Sequence, residues 1–398
     1  MTNGWTGGQY SLWRFLFGVC LFVHFILQLA DVVLRHRGVA SLLFPGFVAL
    51  SGFVKALPAV AIIAAVFFAI GLYDRIAAIV ICCILLGTFA RSPMLEQPSA
   101  LFACLLLIAH ALTPPAPYGS WAARSRVDPA GGWSMPPRLF AAVWIAMAIW
   151  YSYSGYTKFI SLAWLDGSAL ARMLASSSTR FGALVLAIAP VLLLRLITWG
   201  VLGLELFFAP LALARRARPS IWLLTLAAQC ALVTLVHVSD LAFGMIALHL
   251  FTFDPAWVPR IMAVERDQVF YDGTCGLCHR SVRMLVAEDR GGEAFVYAPL
   301  GGDTFAAAFD AATATTLPDS VIIKTSDGRV LIRSAGAVHV AKRLGGAWRI
   351  IGSLIGVIPL RLRDAAYDFI ARIRYRLFAR PKEACPILPP DLRSRFGA

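Results

Sequence analysis

Seven apolar runs, at residues 12–34, 47–72, 76–90, 99–112, 139–159, 181–214 and 220–253, dominate the first two thirds of the chain. Several reach the roughly twenty residues that a helix needs to cross a hydrocarbon core. They leave too little polar surface for a soluble fold. Of 398 residues, 59% are hydrophobic and 15% charged, with a mean hydropathy of +0.73, whereas soluble domains carry about a quarter charged residues. A polytopic α-helical membrane protein is therefore expected. The last two runs each exceed one span and read as two short helices or a helix with a re-entrant partner, which brings the count to eight or nine spans. Residues 1–9 lack a basic region, so the run at 12–34 reads as a retained span rather than a cleaved signal.

Charge follows the same logic. The 36 Lys+Arg against 22 Asp+Glu give +14, which suits arginines at span ends and beside anionic lipid. Nucleic acid is excluded as a partner because no basic cluster sits on a recognition fold. Arg35-His36-Arg37, Arg124/Arg126/Arg138 and Arg215-Arg216-Arg218 cannot all face one side in a simple up-and-down count. If 220–253 makes two passes, the Arg215 to Arg218 loop and the C-terminal part share a side, read here as cytoplasmic in a multi-pass protein of the cell membrane.

Near Arg266 the composition changes. Residues 1–266 hold a net +9 on few charges, and 267–398 a net +5 on charges of both signs. The second stretch, about 130 residues, is long enough for a core of its own. The expected organisation is a transmembrane domain over 1–260, with a Pro- and Gly-rich connector at 113–138, and a globular domain over 267–398. In the latter, strands at 268–271 and 294–298 alternate with helices at 276–287 and 303–312. A hairpin at 320–333 turns on Asp327-Gly328, and helices follow at 335–344, 347–355 and 362–378.

Cys20, Cys82, Cys83, Cys104 and Cys230 lie in apolar runs, where a free cysteine acts as a small hydrophobe. Cys275, Cys278 and Cys385 are the ones left for chemistry. Cys275-Gly276-Leu277-Cys278 follows a strand and opens a helix. Unpaired N–H groups and the positive dipole end there favour a thiolate, so Cys275 is expected to be the nucleophile, the more exposed of the two, with Cys278 resolving. Two other readings compete. A zinc site lacks a second pair, since only Cys385, His279 and His339 remain, so no metal is assigned. The string Cys275 to His279 also spells a haem c attachment motif, which a preceding strand disfavours.

Leu317-Pro318-Asp319 ahead of a strand and hairpin resembles the thioredoxin arrangement, in which a proline faces the cysteine pair. The likeness implies a cis Pro318 against the two sulfurs. Val269-Phe270-Tyr271-Asp272-Gly273-Thr274-Cys275-Gly276-Leu277-Cys278 is similar to the signature of the DCC-type thiol-disulfide oxidoreductase domain. The likeness runs on through Ala335-Gly336-Ala337-Val338, Leu344-Gly345-Gly346, Arg372 to Arg376 and Cys385. It implies an α/β thioredoxin-like domain, redox chemistry at Cys275 and Cys278, and a supporting role for Asp272.

Tyr153-Ser154-Gly155-Tyr156-Thr157-Lys158, followed by Trp164-Leu165-Asp166-Gly167, resembles the HTTM domain shared with vitamin K-dependent gamma-carboxylases. That resemblance implies Lys158 as a base toward a quinone. An ammonium at the end of an apolar span is costly unless it acts, and desolvation favours a neutral amine; simple snorkelling is the competing reading. Asp31, Arg195, Glu205, His237, Asp240 and His249 are the other ionisable groups within the runs. Arg195 and Glu205 read as a pair, and Ser239-Asp240 as a turn between two short helices.

The expected function is thus a membrane-bound thiol-disulfide oxidoreductase. Its partners are the lipid bilayer and a thiol or disulfide substrate, with coupling to a quinone held near Lys158. A quinone-dependent modifying enzyme, with the cysteine module as its reductase, and a redox-sensing scaffold or transporter are the alternatives.

Overall fold

The computed structural model describes residues 3–35, 47–91, 98–236, 240–262, 265–318, 320–378 and 389–397. It is mostly helical, with one small mixed sheet in the C-terminal region. Two compact units emerge. One comprises 13–113 and 136–253; the other gathers 2–12 and 114–135 with 254–398. Composition alone assigns the first two of these last three segments to the helical part, and the structure moves them.

In the helical unit the long runs break into pieces. Among the described residues, Gly7–Ala30 and Arg218–Leu235 are long and apolar enough to cross a membrane. Gly182–Ile188 and Val191–Leu206 make a third only if they count as one span bent by 118°, the break falling at Pro190, which caps the second helix. The expected eight or nine spans are thus not confirmed; two or three candidates are found among the described residues. Asp74–Arg91 carries Asp74, Arg75 and Arg91 within 18 residues, Pro98–Ala111 and Asp240–Thr252 are only 14 and 13 residues long, and Phe47–Ile70 is a helix of 24 residues with Pro58 inside it. The 220–253 run does form two helices, Arg218–Leu235 and Asp240–Thr252; His237 and Ser239 lie outside the described residues.

The second unit is built on four strands, β1 (Asp267–Tyr271), β2 (Phe295–Pro299), β3 (Ile322–Lys324) and β4 (Val330–Ile332), in the order β2-β1-β3-β4. β1 runs parallel to β2, in the register Asp267↔Phe295 to Tyr271↔Pro299, and antiparallel to β3, which pairs antiparallel with β4. The parallel pair needs a crossover, supplied by the helix Gly276–Glu288. Being central, β1 buries both faces. Val269 and Tyr271 pack with Val282, Leu285 and Val286 of that helix, and Phe270 packs with Ala298, Phe309 and Ile322.

Asp267 fixes the start of β1 by accepting from His339 Nε2 at 2.8 Å, Arg343 Nε at 3.0 Å and Ser326 N at 2.9 Å. The helix expected at 303–312 is two, Asp303–Ala308 and Ala311–Thr316, because Asp310 caps a fresh start through Thr313 N. Arg333–Leu344, Gly346–Val357 and Leu360–Leu377 follow, and after the short helix Pro390–Arg393 the chain returns to β2, where Tyr297 N donates to the Arg395 carbonyl at 2.9 Å and Gly397 N to the Tyr297 carbonyl at 2.8 Å. Gly345, at φ +74°, makes the break between the first two; a Cβ there would meet Arg260 N at 2.9 Å.

Candidate redox site

β1 delivers the chain at Tyr271 to a tight loop wound around Asp272. Its Oδ1 accepts from the Thr274 N–H and the Thr274 hydroxyl, both at 2.8 Å, and its carbonyl accepts from Cys275 N at 3.2 Å. Cys275 is the N-cap of Gly276–Glu288, and its Sγ accepts from Cys278 N at 3.3 Å. One of the helix's orphan donors is thus aimed at sulfur instead of a hydroxyl. His279 Nε2 meets the Gly273 carbonyl at 3.0 Å and braces the loop from the helix side.

The second oxygen of Asp272 accepts from Arg374, at 3.3 Å, and from the Tyr375 hydroxyl, both on Leu360–Leu377. Burial alone would raise this carboxyl. The Tyr375 and Thr274 hydrogen bonds and the Arg374 charge outweigh it and hold Asp272 below the usual carboxylate range. Cys278 moves the opposite way, its thiol pushed up by burial and by bonding to Cys275, with the Arg374 charge opposing. Cys278 therefore keeps its proton.

Exposure corrects one expectation. Cys275 is fully buried, whereas Cys278 is half-buried. The reason is local: the cap position turns Cys275 Sγ back onto its own helix end, and Cys278, one turn on, packs at the edge of the core. Both are free thiols. Cys278 lines a largely apolar cavity of about 260 Å³ with Leu277, Ser281, Tyr367, Ile370 and Arg374.

Donor atoms of Asp272, Cys275 and Cys278 lie within 4.8 Å of one another. A cation there would have to displace Arg374 and Tyr375 from the carboxylate and tolerate the guanidinium beside it. His339 and His279, weighed above as further ligands, are turned to Asp267 and to the Gly273 carbonyl.

Pro318 departs from the expectation. None of the described peptide bonds is cis, so Leu317–Pro318 is trans, and Pro318 is absent from the lining of the cavity that Cys278 shares. A turn closed by Ser320 N on the Pro318 carbonyl, at 2.8 Å, separates it from β3. Val321, adjoining the strand, lines the cavity instead and donates its N–H to the Tyr367 hydroxyl at 3.1 Å. Cys385 lies outside the described residues.

Lys158 belongs to the other unit, in the last turn of Pro137–Phe159. Its Nζ donates to Ser154 Oγ at 2.7 Å and forms an ion pair with Glu205, and it lies 5.1 Å from the centre of the Trp164 ring. Glu205, expected beside Arg195, is thus paired with Lys158. Gly155 permits this approach, since a Cβ there would lie 2.2 Å from Leu206 N. His249 carries a second polar cluster: it is buried, 3.0 Å from Thr225 Oγ1 and 3.4 Å from the Tyr151 hydroxyl, which also accepts from Gln229.

Arg374 and Tyr375 are the site residues that sequence reasoning left without a role. Only the resemblance at Arg372 to Arg376 marked them, because no local pattern links residues about a hundred positions from Asp272.

Comparison with known proteins bears on this unit. Residues 269–380 match the model of the DCC1-like thiol-disulfide oxidoreductase family. The uncharacterized protein YuxK of Bacillus subtilis (strain 168) is 29% identical over 128 residues, covering 32% of this chain and 91% of that protein. No solved structure matches the chain.

Proposed function

We propose that the chain is a membrane-bound thiol-disulfide oxidoreductase whose Cys275 and Cys278 cycle between dithiol and disulfide in a thioredoxin-like unit. The observation that carries this reading is the cysteine pair at a helix N-terminus beyond the central strand, with Cys275 Sγ accepting the Cys278 N–H. The DCC1-like match over 269–380 supports it, as does the β2-β1-β3-β4 order with its single parallel pair.

In the reducing direction the Cys275 thiolate attacks one sulfur of a substrate disulfide. The substrate S–S bond breaks, and one thiolate leaves with the electron pair and takes the Cys278 proton. Cys278 then attacks the Cys275 sulfur of the mixed disulfide, forming the Cys275–Cys278 bond and releasing the second substrate thiolate, which is protonated from solvent. Two electrons pass from the pair to the substrate. Arg374 and the Asp272 loop hold the two sulfurs in register. The substrate must reach a buried Cys275, so the side chain swings out from its cap during the first step.

The test is trapping in the detergent-solubilised full chain with a small aromatic disulfide. Turnover should vanish in Cys275→Ser and in Cys278→Ser, and only Cys278→Ser should accumulate a mixed disulfide, through Cys275. Accumulation in Cys275→Ser instead would transfer the nucleophile to the more exposed sulfur. Undiminished turnover in both variants would end the redox reading.

A further inference from the structure

Two consecutive helices of the redox unit, Gly346–Val357 and Leu360–Leu377, have an unusually apolar outward side. Over Leu354 to Leu360 the chain reads Leu-Ile-Gly-Val-Ile-Pro-Leu without a charge, and most of it is solvent-exposed. Val357 is 82% exposed, Leu354 66% and Leu362 64%. Ile350, Phe369 and Ile370 extend the patch along both helices. Pro359 sets the corner, capping Leu360–Leu377. Contiguous exposed apolar surface of this kind marks a partner.

The charges around the patch identify that partner. Arg361, Arg372 and Arg376 are exposed on Leu360–Leu377. The acidic residues of the same helix are already engaged, Asp364 with the Ser334 hydroxyl and Asp368 with Arg333. An exposed aliphatic face, Leu354 to Leu362 continued by Phe369 and Ile370, with Arg361 at the tip and Arg372 and Arg376 further along the helix, is the pattern of a helix lying in a bilayer interface. Protein-docking patches draw on Tyr, Trp, Phe, Met and Arg, whereas the exposed apolar surface here is dominated by Leu, Ile and Val, with one Phe and one Tyr. Basic residues near the surface also favour anionic headgroups. Helices long and apolar enough to span a membrane in the same chain put a bilayer within reach.

We infer that the Gly346–Val357 and Leu360–Leu377 pair docks its exposed apolar tip, Leu354 to Leu362, into the interface of a membrane containing anionic phospholipid. The surface is separate from the cysteine chemistry and does not rest on it, although Ile370 belongs both to this face and to the cavity that Cys278 lines.

The experiment uses the full chain reconstituted into phosphatidylcholine vesicles carrying an acyl-chain diazirine probe, with or without about one third phosphatidylglycerol, the amount that makes the leaflet strongly anionic. Photo-adducts are mapped by peptide mass spectrometry, with Arg218–Leu235 as the internal reference. Adducts on residues 354–362, several-fold more abundant in the anionic vesicles, are expected. Val357→Ser/Leu360→Ser should lower them without changing the reference, and Arg361→Gln/Arg376→Gln should abolish the dependence on phosphatidylglycerol. Labelling of the reference with none on 354–362 would overturn the proposal. So would cross-links joining this patch to a second copy of the chain, or equal labelling in both vesicles.

Discussion

At the scale of the residue, Cys275 and Lys158 are each defined by the groups that hold them, the sulfur by the Cys278 N–H and the ammonium by Ser154 and Glu205. Asp272, Cys275 and Cys278 lie within seven consecutive positions, so strand, loop and helix follow from that stretch alone; the cap geometry then fixes which sulfur faces the helix. Exposure depends on the rest of the fold and was legible in neither cysteine. Lys158 illustrates the same limit. Its cost within an apolar span was plain, but its partner Glu205 lies 47 positions away on another helix. The pairing leads to a prediction that differs from a role as a free base. Lys158 and Glu205 are both largely buried, so removing either leaves the other without its charge partner, at a cost of about 1–3 kcal/mol. Lys158→Ala and Glu205→Ala should each lower the thermal midpoint of the detergent-solubilised chain, and the double variant should lose less than the sum. Thiol turnover at Cys275 should persist below those midpoints. Additive losses would remove the pair as a structural unit, and selective loss of turnover in Lys158→Ala would return the residue to the chemistry.

Elements were legible wherever local signals agreed. The hairpin around Asp327-Gly328, the helix break at Gly345 and the helix after Cys275 all stand near their expected places, because turn chemistry and capping act over a few residues. The helix end that misled is the one decided by a new cap inside a helical pattern, at Asp310; the break at Pro190 falls inside a run already expected to divide. The start of Gly7–Arg35 shows an element fixed from a distance. Glu288, at the far end of the cysteine helix, accepts from Gly8 N at 2.9 Å, from Trp348 Nε1 at 2.6 Å and from the Thr6 hydroxyl. Burial raises its carboxyl, against the pull of these hydrogen bonds and of Arg290. A raised folded-state value means that the folded chain holds the proton more tightly than the unfolded one. The stability it contributes is complete below the unfolded value of about 4.3 and is lost as pH rises through the higher folded value. Asp267 and Asp272, both held low, act in the more acid range below about 3.9 and in the opposite sense. Glu288→Gln should therefore flatten the decline of the thermal midpoint from about pH 5 upward. An unchanged slope would mean that Glu288 ionises normally in the folded chain.

The whole molecule is where sequence reasoning was least equipped, because the redox unit is not one stretch of chain. Composition placed its boundary near residue 266, and composition does respond there, since apolar runs give way to mixed charge. It cannot register that two short segments from the helical part close over the same core. Gly4 N donates to Asp254 Oδ1 at 2.8 Å, Ala347 N to Gln9 Oε1 at 2.8 Å, and the Tyr118 hydroxyl to the Arg280 carbonyl at 3.1 Å. Arg283 reaches the carbonyls of Arg126 and Val127 from the cysteine helix. Arg290 joins the two segments to each other, its guanidinium donating to the Trp133 carbonyl at 2.8 Å and to the Trp5 carbonyl at 3.3 Å, while Tyr10 stacks on Trp133. One side chain thus holds both straps, and the consequence can be measured. Arg290→Ala should loosen residues 2–12 and 114–135 together, seen as faster deuterium uptake in both by about tenfold for each 1.4 kcal/mol lost. Uptake in β1 and β2, whose pairing does not involve Arg290, should stay near that of the unaltered chain. If only one segment responds, the straps are held independently and Arg290 merely touches both. If the strands respond equally, the segments are integral to the core, and the redox unit folds only as all three pieces at once.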